Sequence, residues 1–477
     1  MPIQSGMSEE LAHPACPNCT RLEKRVAELE AQVAALLAEV AALKEKLNRN
    51  SSNSSKPPSS DPPWDKQPAA KSRSGRAPGG QAGHEGHHRQ RVPLESVAKV
   101  IHVMPTVCAH CHAPLPREAE PQDPPVGWHQ TAELPPQVAE VTEYQAHACT
   151  CPCCGKLTRA EIPAEIRRHT LGPHLAAALT YLSGRCHCSK RCVQEIAQTL
   201  FGVPLGLGSV THVERQMSRA LQEPHHVALQ VVRSAPVKNV DETGWFEHGK
   251  LCWLWVAATV GVVVFQIQAK RGKEGLKALL GQVAGVVGSD RWCAYADLPL
   301  SMRQICWAHL KRDFERLYAL SEGTKSIGRL GRRAVKDVFA VWRDFKDQRI
   351  DRAELQTRLQ PVRARLHRAF QRGATGPDRT TKRFCRRMLK VYPALWTFAV
   401  VEGAEPTNNH AERMVRPAVL WRKGCFGNHS AEGCRFAERM LTVVQTLQLQ
   451  GRPVLDYLRR ALIAYRAGIA APPLLVA

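Results

Sequence analysis

The fold is decided by residues 237–269, which read VKNVDETGWFEHGKLCWLWVAATVGVVVFQIQA. Valine and aromatic residues are frequent in this stretch, and it is interrupted by HGK at 248–250 and by VG at 260–261. Runs of β-branched and aromatic residues separated by such turn residues are typical of strands joined by hairpins. The stretch therefore predicts three consecutive antiparallel strands.

The segments that follow alternate between helix and strand. Their patterns predict a helix at 273–283, an apolar strand at 285–288, a further helix-sized segment and a strand at 302–307. This order of elements resembles the ribonuclease H-like fold, which carries one aspartate on its first strand and a second just past its fourth. Asp241 and Asp290 stand at these two places, so we expect their carboxylates to lie side by side.

Paired aspartates on neighbouring strands suit the cleavage or joining of phosphodiesters by two Mg²⁺ ions. Because Mg²⁺ takes hard oxygen ligands, a third carboxylate is expected on a later helix. The best candidate is Glu412, since Asn409 and Arg416 flank it at helical spacing and could position it and contact phosphate. Alternatively, Asn409 and Glu412 form an N-cap pair at a helix start.

Four other acids compete for a place in the site. Strand alternation directs the side chain of Glu242 away from Asp241 and argues against it. The remaining rivals are Asp297, Glu405 and Glu438.

The chain between the second and third acids is longer than one crossover connection needs. Residues 311–390 have periodic apolar positions, which predict helices inserted into the core. They contain 23 Lys and Arg against 9 Asp and Glu, a net charge of +14. A basic surface this dense usually binds phosphate, so we expect it to contact DNA; a solvated helix face is the alternative.

The whole chain has 477 residues and a formal net charge of +23. This length predicts several domains, and this charge predicts a polyanionic partner. The longest apolar stretch, 256–265, is far shorter than the roughly 20 residues of a membrane-spanning helix, which favours nucleic acid over membrane. Residues 1–10 show no secretory signal, so we expect a cytoplasmic protein whose cysteines are reduced.

The N-terminal segment carries a heptad pattern that predicts a coiled coil. Val at the a positions with Leu at the d positions favours a parallel pair of helices, and hence a homodimer. Between the chains, Arg25 would face Glu30 and Glu39 would face Lys44. An amphipathic helix packed on its own chain is the alternative. The seam residues are Leu22, Leu29, Leu36 and Leu43 at d, and Val26, Val33, Val40 and Leu47 at a.

Two Cys-x-x-Cys pairs follow a linker rich in Ser, Pro and Gly. The linker, residues 48–91, has a net charge of +5 and could follow a DNA backbone or serve as a spacer. Four thiolates from two chelating pairs form a set that a structural Zn²⁺ ion takes. The predicted ligands are Cys108, Cys111, Cys151 and Cys154, with Cys149, Cys153, His110 and His112 as alternatives. Two weaker clusters contain Cys16 with Cys19, and Cys186, His187, Cys188 and Cys192.

The expected architecture is a multidomain α+β chain. It comprises a coiled-coil dimerisation helix (20–48), a disordered basic linker (49–92), a zinc-binding domain (93–165), a helical region that could bind DNA (166–232), the first part of a ribonuclease H-like core (233–310), a basic helical insertion (311–400), the second part of the core with the third acid (401–450) and a C-terminal tail (451–477).

Several short motifs stand in one order along nearly the whole chain. After the heptads and the linker come GGQAGH at 79–84, the paired Cys-x-x-Cys, DETGW at 241–245, SD at 289–290, CWAH at 306–309 and NNHAER at 408–413. In this order they resemble the insertion-sequence-66 transposase family. The resemblance implies a DDE transposase in which Asp241, Asp290 and Glu412 are catalytic and hold two Mg²⁺ ions, with Mn²⁺ as a substitute. It also implies zinc at Cys108, Cys111, Cys151 and Cys154.

The same resemblance implies metal-dependent DNA cleavage and strand transfer at the ends of an insertion sequence. Water and then a freed 3′-hydroxyl would attack the phosphodiesters. The implied partners are terminal inverted repeats, target DNA, further copies of this chain and small accessory proteins, at the nucleoid when DNA is bound. The alternative is a catalytically inactive, zinc-containing DNA-binding protein derived from a transposase. Residues expected next to the site are His309, which could instead be a packed core histidine, Asn409, Arg413 and Arg416.

Overall fold

The structure is a computed structural model that describes residues 17–47, 50, 91–115, 127–134 and 138–475. Its first element is a long helix, α1 (Pro17–Leu47). The leucines and valines of the heptad seam are 45–83% exposed, so this chain does not bury them itself. The helix agrees with the expectation, and its pairing with a second copy stays a prediction. The predicted linker lies almost entirely outside the described residues, as does Cys16.

The next segments are mostly exposed and contain two small hairpins. In one, Val107 and Pro114 form an isolated antiparallel bridge. In the other, strand β1 (Ala148–Thr150) pairs antiparallel with β2 (Leu157–Arg159). The turn of each hairpin carries one Cys-x-x-Cys pair.

Five helices lie between the second hairpin and the main sheet, and one of them begins with a side-chain cap. Ser189 accepts a hydrogen bond from the Cys192 N–H at the start of the helix Lys190–Phe201, and Gly202 ends that helix with a left-handed φ of 68°. Residues buried by these helices join the core of the sheet. The helices are α2 (Ala164–Arg167), α3 (Pro173–Gly184), α4 (Lys190–Phe201), α5 (Leu207–Ala220) and α6 (Gln222–Ser234).

The main sheet has five strands in the order β5-β4-β3-β6-β7. The first three in sequence form an antiparallel meander, whereas β6 runs parallel to β3 and β7 runs parallel to β6. The three antiparallel strands agree with the expectation. The strands are β3 (Val237–Glu247), β4 (Lys250–Ala258), β5 (Val263–Gln268), β6 (Val286–Ser289) and β7 (Arg303–Ile305).

The two connections between the later strands differ from each other. Helix α7 (Lys273–Leu280) joins β5 to β6, as expected. Between β6 and β7 the predicted helix is wrong, because the chain forms only short 3-10 turns at Cys293–Tyr295 and Leu300–Met302. Pro299 explains part of the difference, since proline disfavours a helical conformation in the residue before it.

The segment between the second and third acids is helical, as its pattern predicts. Its buried side chains form a hydrophobic cluster of their own, which spans Ile305 to Ala404 and is distinct from the core of the sheet. Phe314, Phe370 and Phe384 contact one another at its centre. The helices are α8 (Trp307–Leu320), α9 (Glu322–Lys346), α10 (Arg352–Thr375), α11 (Arg379–Lys390) and α12 (Thr397–Val400).

The chain then returns to the sheet through α13 (Asn409–Cys425), α14 (Ala431–Leu449) and α15 (Val454–Ala467). Helix α14 covers the edge strand β5, because Thr442 and Thr446 accept backbone N–H groups of that strand at 3.0 and 3.1 Å. Residues 451–477, expected as a tail, include α15, whose apolar side chains join the main core. In the described part of the chain, every helix is too short or too polar to cross a membrane.

Candidate active site

Strand β3 presents Asp241 toward helix α13. Residues 239, 241 and 243 share one face of the strand because side chains alternate. On that face the Asn239 side chain donates to Asn408 Oδ1 at 3.0 Å, and Arg422 donates to Thr243 Oγ1 at 3.2 Å. Asp241 is partly buried, and its Oδ1 accepts the Glu242 N–H at 3.0 Å.

Asp290 comes directly after β6, the strand that runs parallel to β3. Asn239 pairs with Gly288, so Asp241 and Asp290 each stand two residues further along adjacent parallel chains. The Trp292 N–H donates to Asp290 Oδ1 at 2.8 Å and fixes that carboxylate against its own loop. The expectation that the two aspartates are close agrees with this register.

Glu412 lies in the first turn of α13, beside His309 and Arg312. Its Oε1 lies 3.5 Å from His309 Nδ1 and 3.9 Å from Arg312 Nη2, and its side chain is 35% exposed. Asn408, rather than Asn409, precedes the helix, and it forms no side-chain cap, so the N-cap alternative is wrong. The helix also continues through Pro417 to Cys425.

The carboxylates of Asp241, Asp290 and Glu412 influence one another electrostatically. Burial raises the pKa of Asp241 well above 3.8, and the charges of Glu242, Glu412 and Asp290 raise it further. Burial also raises the pKa of Asp290, against the opposing effects of the Trp292 N–H and nearby arginines. The pKa of Glu412 is raised by burial and by Asp290, whereas Arg312 lowers it. Three acids from three elements thus lie close enough for their charges to interact, although the described structure does not bring one oxygen of each within 4.8 Å of the other two.

Glu242 points to the opposite face, as strand alternation predicts. Its carboxylate accepts hydrogen bonds from Tyr295 Oη at 2.7 Å and from Arg271 Nε at 2.9 Å. The Arg271 guanidinium lies between the rings of Trp253 and Trp292, at 4.8 and 4.1 Å from their centroids. Glu242 therefore has a full set of protein partners on its own face.

The other rival acids also have partners elsewhere. Asp297 pairs with Lys273, and Glu405 pairs with Lys346 at 3.4 Å. Glu438 is buried and accepts the Ile267 N–H at 2.6 Å while pairing with Arg435.

Asn408 is a site residue that sequence reasoning missed. It is 1% exposed, and its side-chain amide donates to Val240 O at 2.9 Å while accepting from Asn239. It therefore attaches the start of α13, and with it Glu412, to the strand that carries Asp241. Its place next to Asn409 in the NNHAER motif was the only signal.

The residues expected beside the site divide into two groups. His309 lies next to Glu412, and burial together with Arg312 and Arg291 lowers its pKa to about 3, so the imidazole is neutral. Asn409, Arg413 and Arg416 are exposed on α13. Arg413 lies 3.5 Å from His410 Nδ1.

The two Cys-x-x-Cys pairs adopt matching turns. The sulfur of Cys108 accepts the N–H groups of Cys111 and His110, and these bonds lower its pKa. The sulfur of Cys151 accepts those of Cys154 and Cys153 with the same effect. Across the described residues, three or more potential ligand atoms lie within 4.8 Å of one another only at Cys306, His309 and Glu412, so the four cysteines do not form one group.

Comparisons with known proteins give two matches to families. The model of the family described as "Transposase IS66 family" matches residues 168–435, and a family of unknown function, DUF6444, matches residues 11–90. A similar curated protein is the "Uncharacterized protein y4qI" of Sinorhizobium fredii (strain NBRC 101917 / NGR234), which is 25% identical over 245 residues. That alignment covers 45% of this chain and 44% of the relative.

The transposase match spans all three acids of the cluster and the inserted helices. Because it covers more than half of the chain, the family is established by sequence. This chain belongs to the IS66 family of transposases.

Proposed function

We propose that the chain cleaves DNA and transfers strands at the ends of an insertion sequence, with Asp241, Asp290 and Glu412 as catalytic residues. The observation that supports this best is the electrostatic interaction of three carboxylates, which lie on β3, just past β6 and in the first turn of α13. Strand β6 pairs with β3, and Asn408 before α13 hydrogen-bonds to β3, so β3 holds both neighbouring elements. Membership of a transposase family supports the same reaction class.

The donor set fits Mg²⁺, with Mn²⁺ as a substitute. Carboxylate oxygens are the hard ligands that Mg²⁺ prefers. Burial and mutual repulsion raise the pKa values of these acids, so a bound cation would relieve an unfavourable concentration of negative charge. When two ions are bound, such a centre activates the attacking oxygen and stabilises the leaving oxygen.

The neighbouring groups of the chain would hold these acids in place. The Trp292 N–H fixes one oxygen of Asp290, and Asn408 anchors the first turn of α13 on β3. Arg312 is the cation nearest to Glu412, at 3.9 Å, and would also attract the phosphate of bound DNA. These contacts support a preorganised site.

We assign the sheet to a ribonuclease H-like core interrupted by a basic helical domain. The order β5-β4-β3-β6-β7, with its antiparallel meander and two parallel strands, supports the core. The separate hydrophobic cluster from Ile305 to Ala404 supports a domain at 311–400. Its net charge of +14 between residues 311 and 390 supports contact with DNA.

We assign zinc binding and self-association to the N-terminal part of the chain. The matching turns at Cys108–Cys111 and Cys151–Cys154 have the shape of chelating pairs and support a zinc module. The exposed seam of α1 supports dimerisation.

A nicking assay tests the proposed reaction. The substrate is the DNA that flanks the coding region, which should contain the terminal repeats. We expect Mg²⁺-dependent nicking by the wild type, and a loss of about 10²–10³-fold or more in Asp241→Asn with DNA binding retained. Asp297→Asn, an exposed acid paired with Lys273, is the control and should nick normally.

Two results would overturn the proposal. Normal nicking by Asp241→Asn would show that this acid is not catalytic. Wild-type protein that binds the repeats but never nicks them in Mg²⁺ or Mn²⁺ would instead establish an inactive DNA-binding protein.

A further inference from the structure

A thiol and an imidazole lie beside Glu412, one of the three acids. One ligand atom from each of Cys306, His309 and Glu412 lies within 4.8 Å of the other two, and His309 Nδ1 is 3.5 Å from Glu412 Oε1. Cys306 is the N-cap of α8, His309 lies in its first turn, and Glu412 comes from the first turn of α13. The group therefore joins the inserted helices to the returning core.

The turn at Cys306 repeats the geometry of the two Cys-x-x-Cys turns. The Cys306 sulfur accepts the N–H groups of Ala308 and His309, two and three residues ahead, and also that of Asn408 at 3.2 Å. Cys108 and Cys151 accept N–H groups from the same two relative positions. Cys306-Trp-Ala-His309 thus has the form of a chelating turn in which His replaces the second Cys.

Two ligand atoms in this group lack hydrogen bonds. His309 Nδ1 and Glu412 Oε1 are buried and have no hydrogen-bond partner in the described structure. Their separation of 3.5 Å exceeds the usual limit of about 3.2 Å for a hydrogen bond. A tetrahedral zinc ion at roughly 2.0–2.2 Å from each atom would hold them about 3.3–3.5 Å apart.

We propose that Cys306, His309 and Glu412 bind a Zn²⁺ ion. A thiolate, an imidazole and a carboxylate are ligands that Zn²⁺ takes, whereas Mg²⁺ disfavours sulfur. The thiolate and the carboxylate together supply two negative charges, which balance the ion. Two arginines would repel the ion, and the two negative charges must offset that repulsion. The arginines are Arg312, 3.9 Å from Glu412, and Arg291, near His309. Three protein ligands leave a fourth position for water or a substrate oxygen.

The ion would hold one oxygen of Glu412 and leave the other for the acid cluster. It would also fix α8 to α13 at the junction of the two hydrophobic cores. The site shares Glu412 with the proposed catalytic centre but does not depend on its reaction. This site is tested by measuring bound metal. The metal measurement can therefore fail while the nicking assay succeeds, and the nicking assay can fail while the metal measurement succeeds.

The first test measures the zinc content of the full chain before any chelator is added. We expect Cys306→Ser/His309→Gln to lose one equivalent of zinc per chain relative to the wild type. The control is Cys385→Ser, which alters an equally buried thiol in the inserted helices. A double variant that retains the zinc content of the wild type would overturn the proposal.

The second test leaves Cys306 and His309 intact, so it does not depend on how the double variant folds. In the full chain, the cysteines of the other candidate sites are all replaced by Ser, and Co²⁺ is added. These are Cys16, Cys19, Cys108, Cys111, Cys149, Cys151, Cys153, Cys154, Cys186, Cys188 and Cys192. We expect a thiolate-to-cobalt charge-transfer band that disappears when Cys306→Ser is added to the same background. Absence of the band, or its persistence without Cys306, would overturn the proposal.

Discussion

At the scale of single residues, Asp241 and Glu242 show how one strand serves two purposes. Asp241 faces α13 and the other two acids, whereas Glu242 faces Arg271 and Tyr295 on the opposite side. Strand alternation alone separates their roles. The first acid is the one proposed to bind a cation, and the second stabilises the loops around Arg271 and Tyr295.

Asp241→Asn should stabilise the metal-free protein at neutral pH. The pKa of Asp241 lies well above 3.8 in the folded state, so the folded protein holds this proton more tightly than the unfolded chain. Wild-type stability therefore falls as pH rises from about 3.8 through the folded pKa. In Mg²⁺-free buffer at pH 7, calorimetry should give the variant the higher Tm, with the difference shrinking towards pH 4. A lower Tm at pH 7 would contradict this account.

Arg271→Ala should destabilise the fold. It removes a partner from Glu242, whose side chain is 2% exposed, and it removes the guanidinium that contacts the rings of Trp253 and Trp292. An unsatisfied buried group costs about 1–3 kcal/mol, which urea unfolding can measure. Lys270→Ala, at an exposed pair with Glu274, is the control and should change the free energy of unfolding far less. Equal effects of the two substitutions would contradict the role of Arg271.

The sequence was sufficient to propose the three acids but not the residues that hold them. Asp241, Asp290 and Glu412 follow from strand order and motif. Asn408 could not be found in this way, because its partner Asn239 lies 169 residues away and nothing local indicates the contact. The pairing of Glu242 with Arg271, 29 residues apart, is hidden for the same reason.

At the scale of elements, periodicity predicted the type of most helices and strands, whereas side-chain contacts decided the exceptions. The segment after Asp290 has the length of a helix, but Asp290 accepts the Trp292 N–H and Pro299 interrupts the chain, so 3-10 turns form. In α13, Pro417 does not end the helix, because its neighbours Val415 and Ala418 are buried in the main core.

Helix α1 should dimerise through its exposed seam. Burying leucines in a coiled coil contributes about 1.5–3 kcal/mol for each side chain. Leu29→Glu/Leu36→Glu should therefore abolish self-association in sedimentation equilibrium of the full chain. Ala31→Glu, which lies outside the a and d positions, is the control and should leave the dimer intact. A dimer that survives the double substitution would contradict the coiled-coil assignment.

At the scale of the whole molecule, the net charge of +23 is concentrated in the inserted helices, which carry +14 between residues 311 and 390. Helix α9 shows the arrangement most clearly, because Arg329, Arg333 and Lys336 are exposed and lie at i, i+4 and i+7 on one face. We expect this face to contact the DNA backbone.

Charge reversal on α9 should weaken the salt dependence of DNA binding. Each neutralised phosphate contributes about 0.9 to the slope of log K against log salt concentration. Arg329→Glu/Arg333→Glu/Lys336→Glu should therefore reduce that slope by about 3 and lower the affinity for any DNA sequence. Fluorescence anisotropy over a salt series measures both quantities, with Lys250→Glu in the β3–β4 hairpin as the control. An unchanged slope in the triple variant would exclude this face as a DNA contact.

Nicking kinetics of matched variants test whether three acids that are far apart in sequence act as one metal-dependent centre. Asp241→Asn, Asp290→Asn and Glu412→Gln should each abolish Mg²⁺-dependent nicking, whereas Glu405→Gln, at an exposed pair with Lys346, should nick normally. When residues act as a unit, the effects of their substitutions on the rate do not add. The double variant Asp241→Asn/Glu412→Gln should therefore nick no more slowly than either single variant. Wild-type nicking by any one of the three single variants would contradict the claim.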